Sequence, residues 1–211
     1  MSGTQQTGRT AQPLRQSVRQ RLVTAAEELF YAHGIASVGV DAVVARAGVA
    51  TASLYKNFGG KDGLVAGYLQ ARDERWRRHW EAHIDQHSDP CQRALAVFAA
   101  LETWDPGQGP NNGCAHLAAL QQLPADHPGA AVSRHHQDYL LDRWRQLVVE
   151  AGCPEPEAAA NDLLLIYEGT LALQAASYGS KAVRHGRHLA RLSLENHRHE
   201  LGPRVDSARR P

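Results

Sequence analysis

Between Thr51 and Lys61 the chain sets hydroxyl, phenol, amide and ammonium groups close together: Thr51, Ser53, Tyr55, Lys56, Asn57 and Lys61. Thr and Ser hydroxyls can read several base edges, the Thr methyl can meet a thymine methyl, and a Lys can reach a phosphate or a guanine. The apolar residues among them, Leu54 and Phe58, stand four apart. On a helix that spacing turns both inward and leaves the hydrogen-bonding groups on the opposite face. This is the pattern of a surface that reads nucleic acid.

Other residues allow other chemistry. His79, His83 and His87 recur at four-residue steps, Cys91 extends the series, and Cys114 with His116 forms a second pair. Helical His pairs at that spacing can hold zinc. Arg77, Arg78 and Glu81 crowd the same stretch, and the chain has 12 His in all, so general enrichment in His is the competing reading. Cys114 follows Gly113 at a helix start, where a lowered thiol pKa would suit an oxidant sensor; a buried structural thiol is the alternative. Glu168 follows Tyr167 in an apolar run and needs a partner, either an Arg or a cationic ligand. No G-x-S-x-G, phosphate-binding loop, dinucleotide fingerprint or H-E-x-x-H is present, so the usual signatures of enzymes are lacking.

The elements that must position these groups are helical. Val18, Leu22, Ala25, Ala26, Leu29 and Phe30 predict a helix that begins near Leu14 and stops at Gly34. Val40, Val43 and Val44 mark a short helix from Gly39 to Gly48, and residues 51–57 mark another, closed by Gly59-Gly60. Two short helices around a Gly-containing turn read as a helix-turn-helix. A long helix follows to about Gln86, then one from Pro90, a loop over Asp105–Gly113, a short apolar helix over Cys114–Leu123, and a long one to about Ala151. Two final helices are expected over about 157–178 and 181–199. The fold class is all-α with about nine helices. The division is a polar arm (1–13), a helix-turn-helix domain (14–60), a larger helical domain (61–200) and a tail (201–211).

Apolar residues form 43% of the 211, enough for a substantial core. The net charge of +1 is unevenly spread, with residues 1–61 at +4 and the remainder at −3. A basic front end on an acidic body suits a protein that docks one end on phosphates. No apolar leader segment and no long apolar run is visible, and three widely spaced cysteines do not make a disulfide framework. A cytoplasmic setting is the expectation.

From Arg21 to Leu69 the chain resembles the DNA-binding domain of the TetR/AcrR regulators, through Ala25-Ala26, Leu29-Phe30, Gly34, Ala47-Gly48-Val49, Leu54-Tyr55, Phe58, Lys61 and Leu64. Further on, GCAHLAALQQLPADHP resembles the ligand domain of one subgroup. Two departures stand out: Val38-Gly39 where Thr-Ser is common, and Ala50 where a Ser would cap the recognition helix, leaving Thr51 to cap instead. The resemblance implies DNA contacts at Gly39, Thr51, Ala52, Ser53, Tyr55, Lys56, Asn57 and Lys61, with the Tyr55 hydroxyl on a phosphate.

It also implies a homodimer on a pseudo-palindromic operator, joined through the last two helices by Leu163, Thr170, Gln174, Tyr178, Val183, Gly186, Leu189 and Ala190. A small-molecule effector is expected among Trp76, Trp80, Phe98, Trp104, His116, Leu120, Tyr139, Trp144, Tyr167, Glu168 and Leu171, although aromatic residues at helical spacing are often plain core. The implied function is a ligand-responsive repressor without catalytic residue, cofactor or resident metal. The alternative is a metal- or redox-responsive regulator built on His79/His83/His87 or Cys114/His116.

Overall fold

The computed structural model describes residues 16–104 and 112–199, apart from the side chains of Ser177 and Tyr178. Among these residues all regular elements are helical: α1 (Val18–His33), α2 (Val40–Ala47), α3 (Thr51–Phe58), α4 (Lys61–Ile84), α5 (Pro90–Thr103), α6 (Ala115–Gln122), α7 (Pro128–Glu150), α8 (Pro156–Leu173) and α9 (Gly179–His199). The expected arm, the tail and residues 105–111 of the expected loop lie outside the described residues.

Local chemistry sets the ends. The Ser17 hydroxyl accepts from Gln20 N at 3.1 Å and starts α1, four residues later than the apolar pattern suggests. Asp89 caps α5 in the same way, and Pro90, Pro128 and Pro156 open α5, α7 and α8, where their missing N–H costs nothing. Gly48 closes α2 in the left-handed region (φ 61°), with Val49 N donating to Val44 O at 3.1 Å. The final helices differ from expectation. α8 ends at Leu173, and a π-helical turn (Gln174–Tyr178) carries the path to Gly179, whose φ of 52° breaks it where α9 begins.

Two cores share α4. Leu64, Val65, Tyr68 and Leu69 pack with Leu22, Ala26, Phe30, Val43 and Leu54 of the first three helices. Trp76, Trp80 and Ile84 pack instead with α5, α7, α8 and α9, around Phe98, Trp144 and Tyr167. Ala119 of α6 belongs to the first core, so α6 leans on the N-terminal helices. Gln122 of α6 reinforces that contact by accepting from Ile35 N at 3.1 Å.

Candidate nucleic-acid interface and interior cleft

Leu54 is fully buried and Phe58 packs on the first core, while Thr51, Ala52, Tyr55, Lys56 and Asn57 are exposed and Ser53 is half-buried. Tyr55 is 55% exposed, unusual for a large aromatic with nothing to cover it. Asn57 Nδ2 donates to Ser53 O at 2.7 Å, which turns one amide group back along the helix. Ala50 occupies the N-cap and Thr51 is the first helical residue, so Thr51 does not cap. Ser53 N donates to Ala50 O at 2.9 Å, and with no side-chain cap the N–H groups of Thr51 and Ala52 are left to an anion. Gly39 is exposed at the N-cap of α2. Lys61 opens α4, its ammonium 5.9 Å from the centroid of the Phe30 ring.

Two features that hold this surface went unread in the sequence. Arg21 donates to Gly48 O at 2.7 Å and ties α1 to the turn. Gly63 and Gly67 form a bare strip on α4 where α3 ends: a Cβ at Gly63 would lie 2.0 Å from Phe58 O, and one at Gly67 2.7 Å from Phe58 Cε1.

The expected effector residues separate into two groups. Trp76, Trp104, His116, Tyr167 and Leu171 line one cleft, together with Tyr31, Arg72, Leu101, Cys114, His136 and Gln174. The cleft holds about 500 Å³ of empty space counting its open mouth, but only about 40 Å³ admits the centre of a water-sized body. Trp104 meets Trp76 edge-on at 5.2 Å, and Tyr167 lies 6.0 Å from Trp76. Trp80, Phe98 and Trp144 lie elsewhere, fully buried as core; Trp80 and Trp144 pack at 5.0 Å. Tyr139 faces an outer groove, where its hydroxyl donates to Glu81 at 2.9 Å. Leu120 is half-buried on α6 outside the cleft. Glu168 is not a wall either, and its partner is no arginine: Gln137 Nε2 donates to it at 2.9 Å.

Beneath the cleft runs a charged chain. Arg72 Nη1 donates to Glu27 Oε1 at 2.8 Å, and Arg75 grips the same carboxylate through both oxygens, at 2.6 and 2.7 Å. Burial would raise the Glu27 carboxyl, but the hydrogen bonds and charges of Arg75 and Arg72 outweigh it and hold it below the usual range. Asp73 is likewise lowered against burial, by His136 at 2.6 Å and Arg77 at 2.8 Å. His116 stacks on His136 at 3.9 Å. Burial, then the charges of His136, Arg72 and Arg77, hold the His116 ring neutral well below the ordinary pKa.

The metal and redox alternatives gain little from this arrangement. His79 Nε2 contacts Ala100 O at 3.0 Å, and His83 is tied through both ring nitrogens to His79 O and Thr103. His87 lies beyond the end of α4. Among the described residues, Asp73, His116 and His136 do bring potential ligand atoms within 4.8 Å of one another. However, Arg77 and His136 already hold the Asp73 charge, and Arg72 adds a further positive field. Burial, and next the Glu168 charge, push the Cys114 thiol up to about 12, opposite to the lowering expected at a helix start and poor for a reactive thiolate.

On the last two helices, Leu163, Thr170, Val183, Gly186 and Ala190 face into the subunit. A Cβ at Gly186 would stand 2.0 Å from Thr170 Oγ1, so the small residue serves the contact between α8 and α9. Gln174 turns into the cleft, Leu189 is exposed, and the Tyr178 side chain lies outside the described residues. α8 is apolar on both faces, so an apolar stripe along it does not by itself mark the outer one.

The buried groups predict a particular acid response. A group whose folded pKa is depressed supports the fold above its unfolded value and loses that support as pH falls. For His116 the loss starts near 6.5, at about 1.4 kcal/mol per pH unit for one proton. Glu27 and Glu81 add to it below about 4.5 and Asp73 below about 3.8. The melting temperature should decline from pH 6.5 and steepen below 4.5; a flat profile from pH 7 to 5 would contradict a neutral buried His116.

A short helix with its apolar edge buried and its polar edge exposed, set after a second short helix and a left-handed Gly turn, defines a helix-turn-helix DNA-binding protein. Residues 22–68 match the model for bacterial regulatory proteins of the tetR family. Those residues carry the DNA-binding domain of that family, and the chain is similar over most of its length to TetR-type DNA-binding transcriptional regulators. A TetR-family transcriptional regulator from Streptomyces coelicolor superposes with a TM-score of 0.79 at 28% identity, covering 86% of this chain and 96% of that one. A tetR-type regulator from Streptomyces avermitilis gives 0.72 at 28%, covering 86% and 97%. One from Legionella pneumophila gives 0.72 at 15% identity, covering 86% and 99%, a likeness of fold alone. Among curated proteins the chain has no match. No helix among the described residues is long and apolar enough to cross a membrane.

Proposed function

We propose that the chain is a non-enzymatic, ligand-responsive repressor that acts in the cytoplasm. It binds a pseudo-palindromic operator as a homodimer and is released by a small-molecule effector. The observation that carries DNA reading is the outward face of α3, with Thr51, Tyr55, Lys56 and Asn57 exposed above a buried Leu54. Eight helical residues reach only a few base pairs, so useful specificity calls for two copies. Exposed Leu165 and Leu173 on α8 and Leu189 and Leu192 on α9 supply an apolar face for that pairing. The cleft supports effector control, because its walls include Tyr31 of α1 as well as residues of α4 and α8. An effector that prefers one spacing of the two recognition helices would shift the equilibrium toward it.

Selection of bound sequences from a random DNA pool tests the reading. Two half-sites about one helical turn apart are expected, and recovery of no preferred sequence would refute it. On the operator so found, Tyr55→Phe removes one phosphate hydrogen bond without touching the core. It should weaken binding about tenfold at unchanged melting temperature; wild-type affinity would remove Tyr55 from the contact surface.

A further inference from the structure

The first helix holds a cation whose charge the fold itself does not use. The Arg19 guanidinium lies 4.9 Å from the centroid of the Phe58 ring, and among the described residues it makes no ion pair and no hydrogen bond. The other arginines of α1–α3 are engaged inside the subunit: Arg21 donates to Gly48 O at 2.7 Å, and Arg46 pairs with Glu28 at 2.7 Å. Arg19 is exposed, while the Phe58 ring beneath it is half-buried and reaches α4 at Gly67. A guanidinium over an aromatic face is held there by the ring quadrupole, so Arg19 is ordered before any partner arrives.

The place of Phe58 on α3 decides where that charge stands. With about 3.6 residues per turn, Phe58 lies around the α3 axis between buried Leu54 and exposed Tyr55. Arg19 therefore borders the outward face of α3 on its Tyr55 side. A helix seated in a groove of DNA has a sugar–phosphate strand along each flank. A guanidinium suits such a strand, because its N–H fork meets two phosphate oxygens at once.

We propose that Arg19 binds a backbone phosphate of the operator beside the Tyr55 flank of α3, and so brings α1 into the DNA interface. The proposal rests on the DNA reading above and adds a contact from an element outside the helix-turn-helix. A phosphate contact carries no sequence information, so Arg19 contributes affinity and orientation and not the choice of site.

Binding of the full-length protein to its selected operator and to a scrambled duplex, measured over a series of NaCl concentrations, tests it. Arg19→Gln should weaken both complexes alike, by about tenfold at about 0.1 M salt. The slope of log K against log [NaCl] should become shallower by about 0.9 per subunit, the counterion release of one phosphate contact. Arg19→Lys, which keeps the charge, should restore most of that slope. Arg145→Gln, which removes a cation from α7, should change neither quantity. An unchanged slope in Arg19→Gln would overturn the proposal and leave Arg19 as a cover for Phe58, even if affinity falls. So would a loss on the operator alone, which would mean a base contact or a shifted α3. A wild-type protein that holds neither duplex would instead strike the DNA reading itself.

Discussion

Glu27→Ala should destabilise the protein by about 3–5 kcal/mol, the cost of breaking a buried ion pair by removing one partner. The Glu27 and Arg72 side chains are only 10% and 7% exposed. Removing the carboxylate takes from the buried Arg72 guanidinium the acceptor that stands 2.8 Å from its Nη1. Arg75 is 39% exposed and can turn toward water, so most of the loss falls on Arg72. For a chain of this size the melting temperature should drop by about 10 °C or more. The neighbouring residue provides the control. Glu28 pairs with Arg46, whose side chain is 53% exposed, and a surface pair of that kind contributes at most about 1 kcal/mol. If thermal melts show equal losses for Glu27→Ala and Glu28→Ala, the buried clamp is not what joins α1 to α4.

Gly63→Ala should damage DNA binding more than any change on the DNA-facing surface. Alanine is the better helix former by about 1 kcal/mol, so propensity alone predicts a more stable protein. The new methyl would lie 2.0 Å from the Phe58 carbonyl oxygen, an atom of the backbone that cannot rotate away. The last turn of α3 must therefore move off α4, at about 1–3 kcal/mol for the overpacking. That movement re-aims Tyr55 and Lys56, and a shift of about an ångström is enough to break hydrogen bonds to bases and phosphates. Operator affinity should fall by more than tenfold. Gly67→Ala should be milder, since its contact is with the Phe58 ring, which can shift. An unchanged operator affinity in Gly63→Ala would show that α3 is not positioned by this contact.

The helix-turn-helix was legible because its signals are local. Gly34, Gly48 and Gly59 end helices where the chain needs φ of 84°, 61° and 74°, values that glycine adopts without strain. The four-residue step from Leu54 to Phe58 orients α3 without reference to the rest of the chain. The clamp leaves a trace in the sequence: Arg72 and Asp73 continue the inward row of Leu64, Val65, Tyr68, Leu69 and Trp76 on α4, a row where charges need partners. Partner identity was not written there, since Glu27 is 45 residues from Arg72 and His136 is 63 from Asp73.

The effector residues and the dimer face show the limit more sharply. Trp76, Trp80 and Trp144 have the same side chain and share one core, yet Trp76 also lines the cleft while Trp80 and Trp144 do not. Periodicity states that a residue faces inward and not what it meets. In the same way, α8 is apolar on two faces, and the docking of α7 and α9 on it, with Gly186 against Thr170, decides that Leu163 is interior and Leu165 exposed. The sequence by itself determined the all-helical class, the glycine ends of the first three helices and the exposed polar face of α3, because glycines and four-residue spacings act over a few residues. The tertiary structure alone decided which aromatic residues line the cleft, which carboxylate holds Arg72 and which leucines remain outside, because those outcomes depend on contacts between helices far apart in the chain.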